Sequence, residues 1–210
     1  MEIPKFLIER YQFWKENTFK DYKDIYQQAS KTLQKPIAMI ITCCDSRILE
    51  NTIFGGSVGD YFIHRNIANI VPSKNDKDLN IQTLSAIEYA FKVLKIPNLI
   101  ILGHSNCGGV EYSYKTLLDK KNTNDFEYIN KWTSCLQNSY NNIPNDLPES
   151  EKITFFEQEN IKQSIKNLRE YDFINKLINE NKLNVVGLWY QINSGLIKFL
   201  DNNNSFIDLD

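Results

Sequence analysis

The chain has 210 residues, with 24 Lys and Arg against 26 Asp and Glu, a formal charge of -2 at pH 7. That length supports one domain with its own core and is short for two, and the near-even charge excludes the basic face that nucleic-acid or anionic-membrane binding needs. No run approaches the roughly 20 apolar residues that cross a bilayer, and four cysteines, two of them adjacent, suit metal or thiol chemistry in a reducing compartment better than a disulfide framework.

From its start the chain reads as helical to about Leu33, with an excess of aromatic side chains that need a surface to pack on, such as another subunit. The opening MEIPKFLIERYQFWKEN lacks the basic end, apolar stretch and cleavage site of a signal peptide, so a soluble, cytoplasmic protein is expected. Four short apolar, partly β-branched runs follow: IAMIIT (37–42), YFIHR (61–65), NLIILG (98–103) and LNVVGLWY (183–190). They suit strands buried on both faces. Between the second and third, DLNIQTLSAIEYAFKVL (78–94) repeats apolar residues at spacings of three and four and stops before Pro97, which predicts the crossover helix of a βαβ unit. NSYNNIPNDLPES (138–150) reads as a loop inside one alternating series, FFEQENIKQSIKNLREYDFINKLINE (155–180) as a second helical region, DNNNSF as a turn and FIDL as a short edge strand. The expected architecture is α/β: one domain over 1–210, a mainly parallel four-stranded sheet flanked by helices, with residues 1–33 as a helical arm on a core of 34–210.

Two clusters carry chemistry. CCDSR (43–47) follows the first strand and GHSNCGG (103–109) the third, and a parallel sheet brings both to its carboxyl edge, where open α/β sheets bind ligands. His104 and Cys107 form a local chelate at the start of a helix, whose N-terminus favours a Cys107 thiolate. A third ligand from the first cluster gives two Cys and one His, the donor set of a catalytic zinc with one position open.

CxDSR at 43–47, GDYFIHRNIANIV (59–71), SAIEYA (85–90) and GHSNCGG, in this order, resemble the β-class carbonic anhydrases. The resemblance runs from about Gln34 to Gly109, with a weaker continuation near GLWY. It implies zinc on Cys43, His104 and Cys107, with Cys44 in the variable position. Alternation along an extended segment agrees, since only one of two neighbours can face the metal. Cys44 and Cys135 are then expected to be small buried apolar side chains, and His64 a hydrogen-bonded structural histidine.

The resemblance also implies a dyad of Asp45 and Arg47. Zinc on two thiolates is a weaker Lewis acid than zinc on three imidazoles, so an acid that takes the proton of water, or that binds the metal and excludes water, has a use, and the arginine decides between these states. Gln34 matches a substrate-binding amide, Phe62, Ile67 and Tyr190 an apolar wall for carbon dioxide, and Gly108 with Gly109 a backbone approach to bicarbonate. Similar proteins build that wall partly from a neighbouring chain, which implies a homodimer and leaves a tetramer open. The implied activity is reversible hydration of carbon dioxide to bicarbonate; hydrolysis of carbonyl sulfide or carbon disulfide on the same fold is the alternative, and a non-catalytic zinc or thiol-redox scaffold is disfavoured by the Asp45–Arg47 pair and Gln34. Some β-class members carry an inhibitory bicarbonate site using a Trp three residues before the first zinc cysteine. Here Ile40 stands in its place and Thr42 replaces a Gly, so Arg65 and Tyr190, though at matching positions, are not expected to form that site.

Overall fold

In the structure, a computed structural model, residues 2–76, 81–119 and 125–209 are described. Two helices, α1 (Lys5–Glu16) and α2 (Thr18–Ala29), precede strand β1 (Ala38–Cys43). Then come α3 (Glu50–Ile53), β2 (Tyr61–Asn66), a 3-10 turn (Ile67–Asn69), α4 (Ile81–Glu88) and β3 (Asn98–His104). Helices α5 (Gly108–Asp119), α6 (Glu127–Thr133), α7 (Gln137–Asn141), α8 (Glu149–Leu168) and α9 (Asp172–Asn179) lead to β4 (Asn184–Tyr190), β5 (Ile197–Leu200) and β6 (Phe206–Asp208).

The sheet has six strands rather than the expected four, in the order β2-β1-β3-β4-β5-β6. The four expected strands are its parallel part, and β5 and β6 extend it antiparallel. β6 falls on the expected edge strand. β5 escapes sequence reading because its four residues are all half-buried, which leaves neither a continuous apolar run nor a clear alternation.

The crossover helix lies where its periodicity places it, although its expected first residues, 78–80, are outside the described residues. It passes from α4 into a π-turn (Tyr89–Val93) and ends before Pro97. The second helical region is two helices, with a turn at 169–171. The expected loop at 138–150 is helical at both ends: α7 runs to Asn141, and the first of the two helices begins at Glu149, where Pro148 precedes it and Glu149 and Glu151 occupy its first turn, a place where carboxylates favour the helix dipole.

All six residues of β1 are buried. On one face of the sheet Met39, Ile41, Leu99, Ile101 and Trp189 pack with Ile161 and Leu168 of α8. Close seating of α8 requires Gly103 and Gly187: a Cβ at either would lie 2.7 or 2.9 Å from Ile161. On the other face Ile40, Ile48, Leu102 and Leu188 form a smaller cluster. A third cluster, with Ala68, Ile70, Val110 and Phe156, encloses Cys43 and Cys107.

Candidate metal centre

Strand geometry assembles the site. β1 ends on Cys43 and β3 on His104, and Cys107 enters from the turn that opens α5. The Sγ atoms of Cys43 and Cys107 are 3.9 Å apart, and the ligand atoms of Cys43, His104 and Cys107 all lie within 4.8 Å of one another. All three residues are buried. Two zinc–sulfur bonds of about 2.3 Å at a tetrahedral angle separate their sulfurs by about 3.8 Å, so the thiol pair already has the spacing of ligands. The Nδ1–H of His104 donates to the Ser105 carbonyl at 2.9 Å, which leaves Nε2 as the free acceptor. That buried nitrogen has no hydrogen-bond partner among the described residues. A buried polar atom without a partner costs free energy, and a cation between it and the two sulfurs removes that cost.

The electrostatics agree with the donor set. The bond from the Cys107 thiol pulls Cys43 down to about 4 against the effect of burial, helped by His104 and the Ala68 N–H, which lies 3.4 Å from Cys43 Sγ. Cys107 is pushed up by that same bond and by burial. A metal bound by both sulfurs would displace the thiol proton between them.

Asp45 stands at the mouth of this centre. Its Oδ1 accepts the Arg47 Nε–H and backbone N–H, both at 2.9 Å, and its Oδ2 accepts Nη2–H at 2.7 Å. Hydrogen bonding to Arg47 holds its pKa at about 2. Oδ2 is 4.0 Å from His104 Nε2, so the carboxylate adjoins the centre while remaining engaged with the arginine. Arg47 Nη2 also donates to the Asn106 carbonyl at 3.0 Å, tying the two ligand-bearing turns together.

The remaining expected residues are dispersed. Ile67 lies beside the centre: its Cγ2 is 2.5 Å from where a Gly109 Cβ would be. Gly108 opens α5 with free space over its Cα. Tyr190 is level with His104 in the β3–β4 register and packs against the cluster that holds Leu102 and Leu188. Gln34 and Phe62 are at the opposite end. Gln34 precedes β1 and is exposed; Phe62 pairs with Met39, four residues from the Cys43–Asn66 pair, or roughly 13 Å along the strand, and stacks on Tyr89 at 5.9 Å. Within one chain neither meets the thiols.

His64 is buried with Nε2 3.1 Å from Thr83 Oγ1, and burial lowers its pKa. Cys135 is half-buried and pushed up to about 12 by burial. Cys44 differs from expectation: it is exposed, because its alternate direction points out of the enclosed cluster into a groove of about 410 Å³ lined also by Arg65, Ile67 and Trp132. Arg65 is engaged by buried Glu50, with Nη2 2.8 Å from both carboxylate oxygens. Sequence reasoning missed Glu157 of α8. It is 2% exposed, accepts the Cys107 N–H at 2.9 Å and the Trp189 Nε1–H at 3.1 Å, and is raised to about 7 by burial. Its signal was a polar stripe, Glu157, Asn160, Ser164 and Asn167, on the buried face of an otherwise ordinary amphipathic helix.

Comparison with known proteins gives a consistent relation. The family model described as carbonic anhydrase matches residues 38–197. A Helicobacter pylori carbonic anhydrase is 31% identical over 188 residues, covering 88% of this chain and 84% of the relative; the Arabidopsis thaliana beta carbonic anhydrase 3 is 30% identical over 185 residues, covering 87% and 70%. Among solved structures, the β-carbonic anhydrase CcaA superposes with a TM-score of 0.87 at 29% identity over 98% of this chain and 92% of that one. One of two tetrameric β-carbonic anhydrases of Sordaria macrospora gives 0.79 at 30% over 93% and 95%. With a matched span that contains all three clustered donors and the Asp45–Arg47 pair, the chain belongs to the β-class carbonic anhydrases.

Proposed function

We propose that this chain catalyses the reversible hydration of carbon dioxide to bicarbonate and a proton, with zinc held by Cys43, His104 and Cys107. The observation that carries this reading is the partnerless His104 Nε2 facing two thiols at ligand spacing. When bound, zinc supplies a Lewis acid that brings the pKa of water toward neutrality. The protein's own groups do the rest. Asp45 accepts a hydrogen bond from the attacking water and orients its lone pair. Because Arg47 keeps that carboxylate ionised, the proton passes on to solvent at the exposed mouth instead of staying on the acid. Ile67 supplies an apolar wall for a substrate with little hydrogen-bonding capacity, and the Gly108 backbone approaches the product oxygens.

The working unit in this reading is a homodimer of single-domain chains. Residues 1–33 form an arm on the neighbour, and Gln34 and Phe62, remote from their own centre, contribute to the partner's. Tyr190, level with His104 on the next strand, borders the edge of the site. Thiol ligands must stay reduced, which fits the cytoplasm. Stopped-flow hydration on protein of measured zinc content tests the activity: rate should scale with zinc at about one per chain and exceed turnover of carbonyl sulfide and carbon disulfide. Arg47→Ala should remain folded and zinc-loaded while kcat/KM falls on the order of 100-fold. A fully active Arg47→Ala protein would remove the dyad from the mechanism.

A further inference from the structure

We propose that the buried face of α8 positions the two thiolates, Glu157 through the backbone of Cys107 and Asn160 through that of Ala68; this rests on the reading that Cys43, His104 and Cys107 hold a metal. The hydrogen bonds of both side chains go to other partners than the sulfurs. Each holds the backbone that sets one.

Cys107 lies where β3 turns into α5, and its N–H has no partner in its own helix at this position. Glu157 Oε1 takes that N–H at 2.9 Å while Oε2 takes Trp189 Nε1–H from β4 at 3.1 Å. The carboxylate is thereby fixed from two sides. Both partners are donors, so a carboxylate satisfies both and a Gln amide satisfies one. This accounts for an acid at a position where burial opposes charge.

The Cys43 side is held through strain. Ala68 and Asn69 both have positive φ, 62° and 46°, a left-handed pair that an Asn tolerates and an Ala rarely adopts. Asn160 Nδ2 donates to the Ala68 carbonyl at 2.7 Å. Farther along the same stripe Ser164 Oγ accepts the Val71 N–H at 3.1 Å and Asn167 Nδ2 donates to the Val71 carbonyl at 2.8 Å. So restrained, Ala68 directs its N–H at Cys43 Sγ.

Glu157 and Asn160 are three residues apart, neighbours on one helix face, and they reach the two turns whose cysteines are 3.9 Å apart. Ile161, next to Asn160, is the residue that fills the space over Gly103 and Gly187. The helix is therefore registered against β3 and β4 at the level of the centre, and a lost hydrogen bond is not absorbed by sliding.

The test is metal affinity and thiolate geometry, read by competition with a chromogenic chelator and by the thiolate-to-metal charge-transfer band of the cobalt-substituted protein. Glu157→Gln and Asn160→Asp should each weaken zinc and cobalt binding by about 10- to 100-fold, the usual cost of losing a group that orients a ligand, and should change the cobalt band. Asn167→Asp removes the same donor from the same loop seven residues along the same helix. It should lower thermal stability yet leave affinity and band as in the wild type. Equal losses of affinity from Asn167→Asp and Asn160→Asp, or wild-type affinity and band in both Glu157→Gln and Asn160→Asp, would overturn the proposal. If Glu157→Gln does not fold, Trp189→Phe, which frees one carboxylate oxygen and keeps the Cys107 bond, should alter the band, and an unchanged band would count against the role of Glu157. Wild-type protein whose cobalt spectrum is indistinguishable from that of Cys107→Ser would overturn the metal reading itself, a result separate from any difference among the α8 variants.

Discussion

The N-terminal arm and the carboxyl edge of the sheet put similar apolar side chains to opposite uses. In β1 every residue is buried, whereas α1 and α2 contain no buried residue. Phe6, Phe13 and Ile3 are 53, 66 and 68% exposed. Trp14 joins the two arm helices, with ring centroids 5.2 Å from Phe19 and 6.0 Å from Tyr26, but that contact uses only one side of each helix. Composition thus locates material for a core without saying which chain completes it. The sheet edge is finished within the chain, down to two thiols at metal-ligand spacing; the first two helices leave their apolar side chains exposed in the single chain.

The largest expected effect sharpens the contrast within two adjacent residues. Cys43 is enclosed among buried side chains and Cys44 faces the groove. Cys43→Ser should lose metal and, by removing a ligand outright, reduce hydration by more than the roughly 100-fold typical of losing a supporting group. Cys44→Ser should keep metal and activity and stay within about 0.5 kcal/mol of wild-type stability. Metal analysis, the hydration assay and urea unfolding of the purified variants check all three, and equal losses would place both thiols in one environment.

A smaller effect is expected one layer below. Ile161 is fully buried over Gly103 and Gly187, so Ile161→Ala should lower unfolding free energy by about 2–5 kcal/mol through lost burial and a residual cavity. The measurement is urea denaturation of the metal-free protein, which separates core packing from metal binding. A loss below about 1 kcal/mol would mean that α8 collapses easily onto the sheet, contrary to the tight glycine contacts.

Much of this organisation was legible in the sequence, for particular reasons. Apolar runs revealed the four parallel strands, from β1, buried throughout, to β2, half-buried at the sheet edge, and parallel order placed residues 43–47 and 103–109 at one edge. The clustering of Cys43, His104 and Cys107 was legible because His104 and Cys107 are close in sequence and the family resemblance selected Cys43. β5 was hidden by its shortness and half-burial. The start of α8 was hidden by Pro and Asn residues that usually mark loops, although Pro148 here precedes a helix. Cys44 went astray because alternation shows that it faces away from Cys43 and does not show whether anything covers that side. Glu157 and Asn160 went unread for a different reason: a polar stripe on an amphipathic helix reads as surface until the loops it holds are known.

The smallest effect on folding should come from the arm, and it bears most directly on the comparison. Truncating Phe13 removes a side chain as large as many in the core, yet one that is two-thirds exposed in the single chain. Phe13→Ala should therefore change the unfolding free energy of the dissociated chain by no more than about 0.5 kcal/mol. If the arm lies on a second copy, the same truncation removes an interface aromatic, a class that often costs more than 1 kcal/mol on association, and the dimer dissociation constant should rise at least about fivefold. Sedimentation over a concentration series reads the second quantity, and urea unfolding below the dissociation midpoint reads the first. Trp14 is a poor choice for this test because it also ties α1 to α2. Phe13 has no ring partner among the described residues, so its effect falls on whatever covers the arm from outside. A stability loss in the dissociated chain would show that the arm is finished internally after all, and unchanged association would place the subunit contact elsewhere.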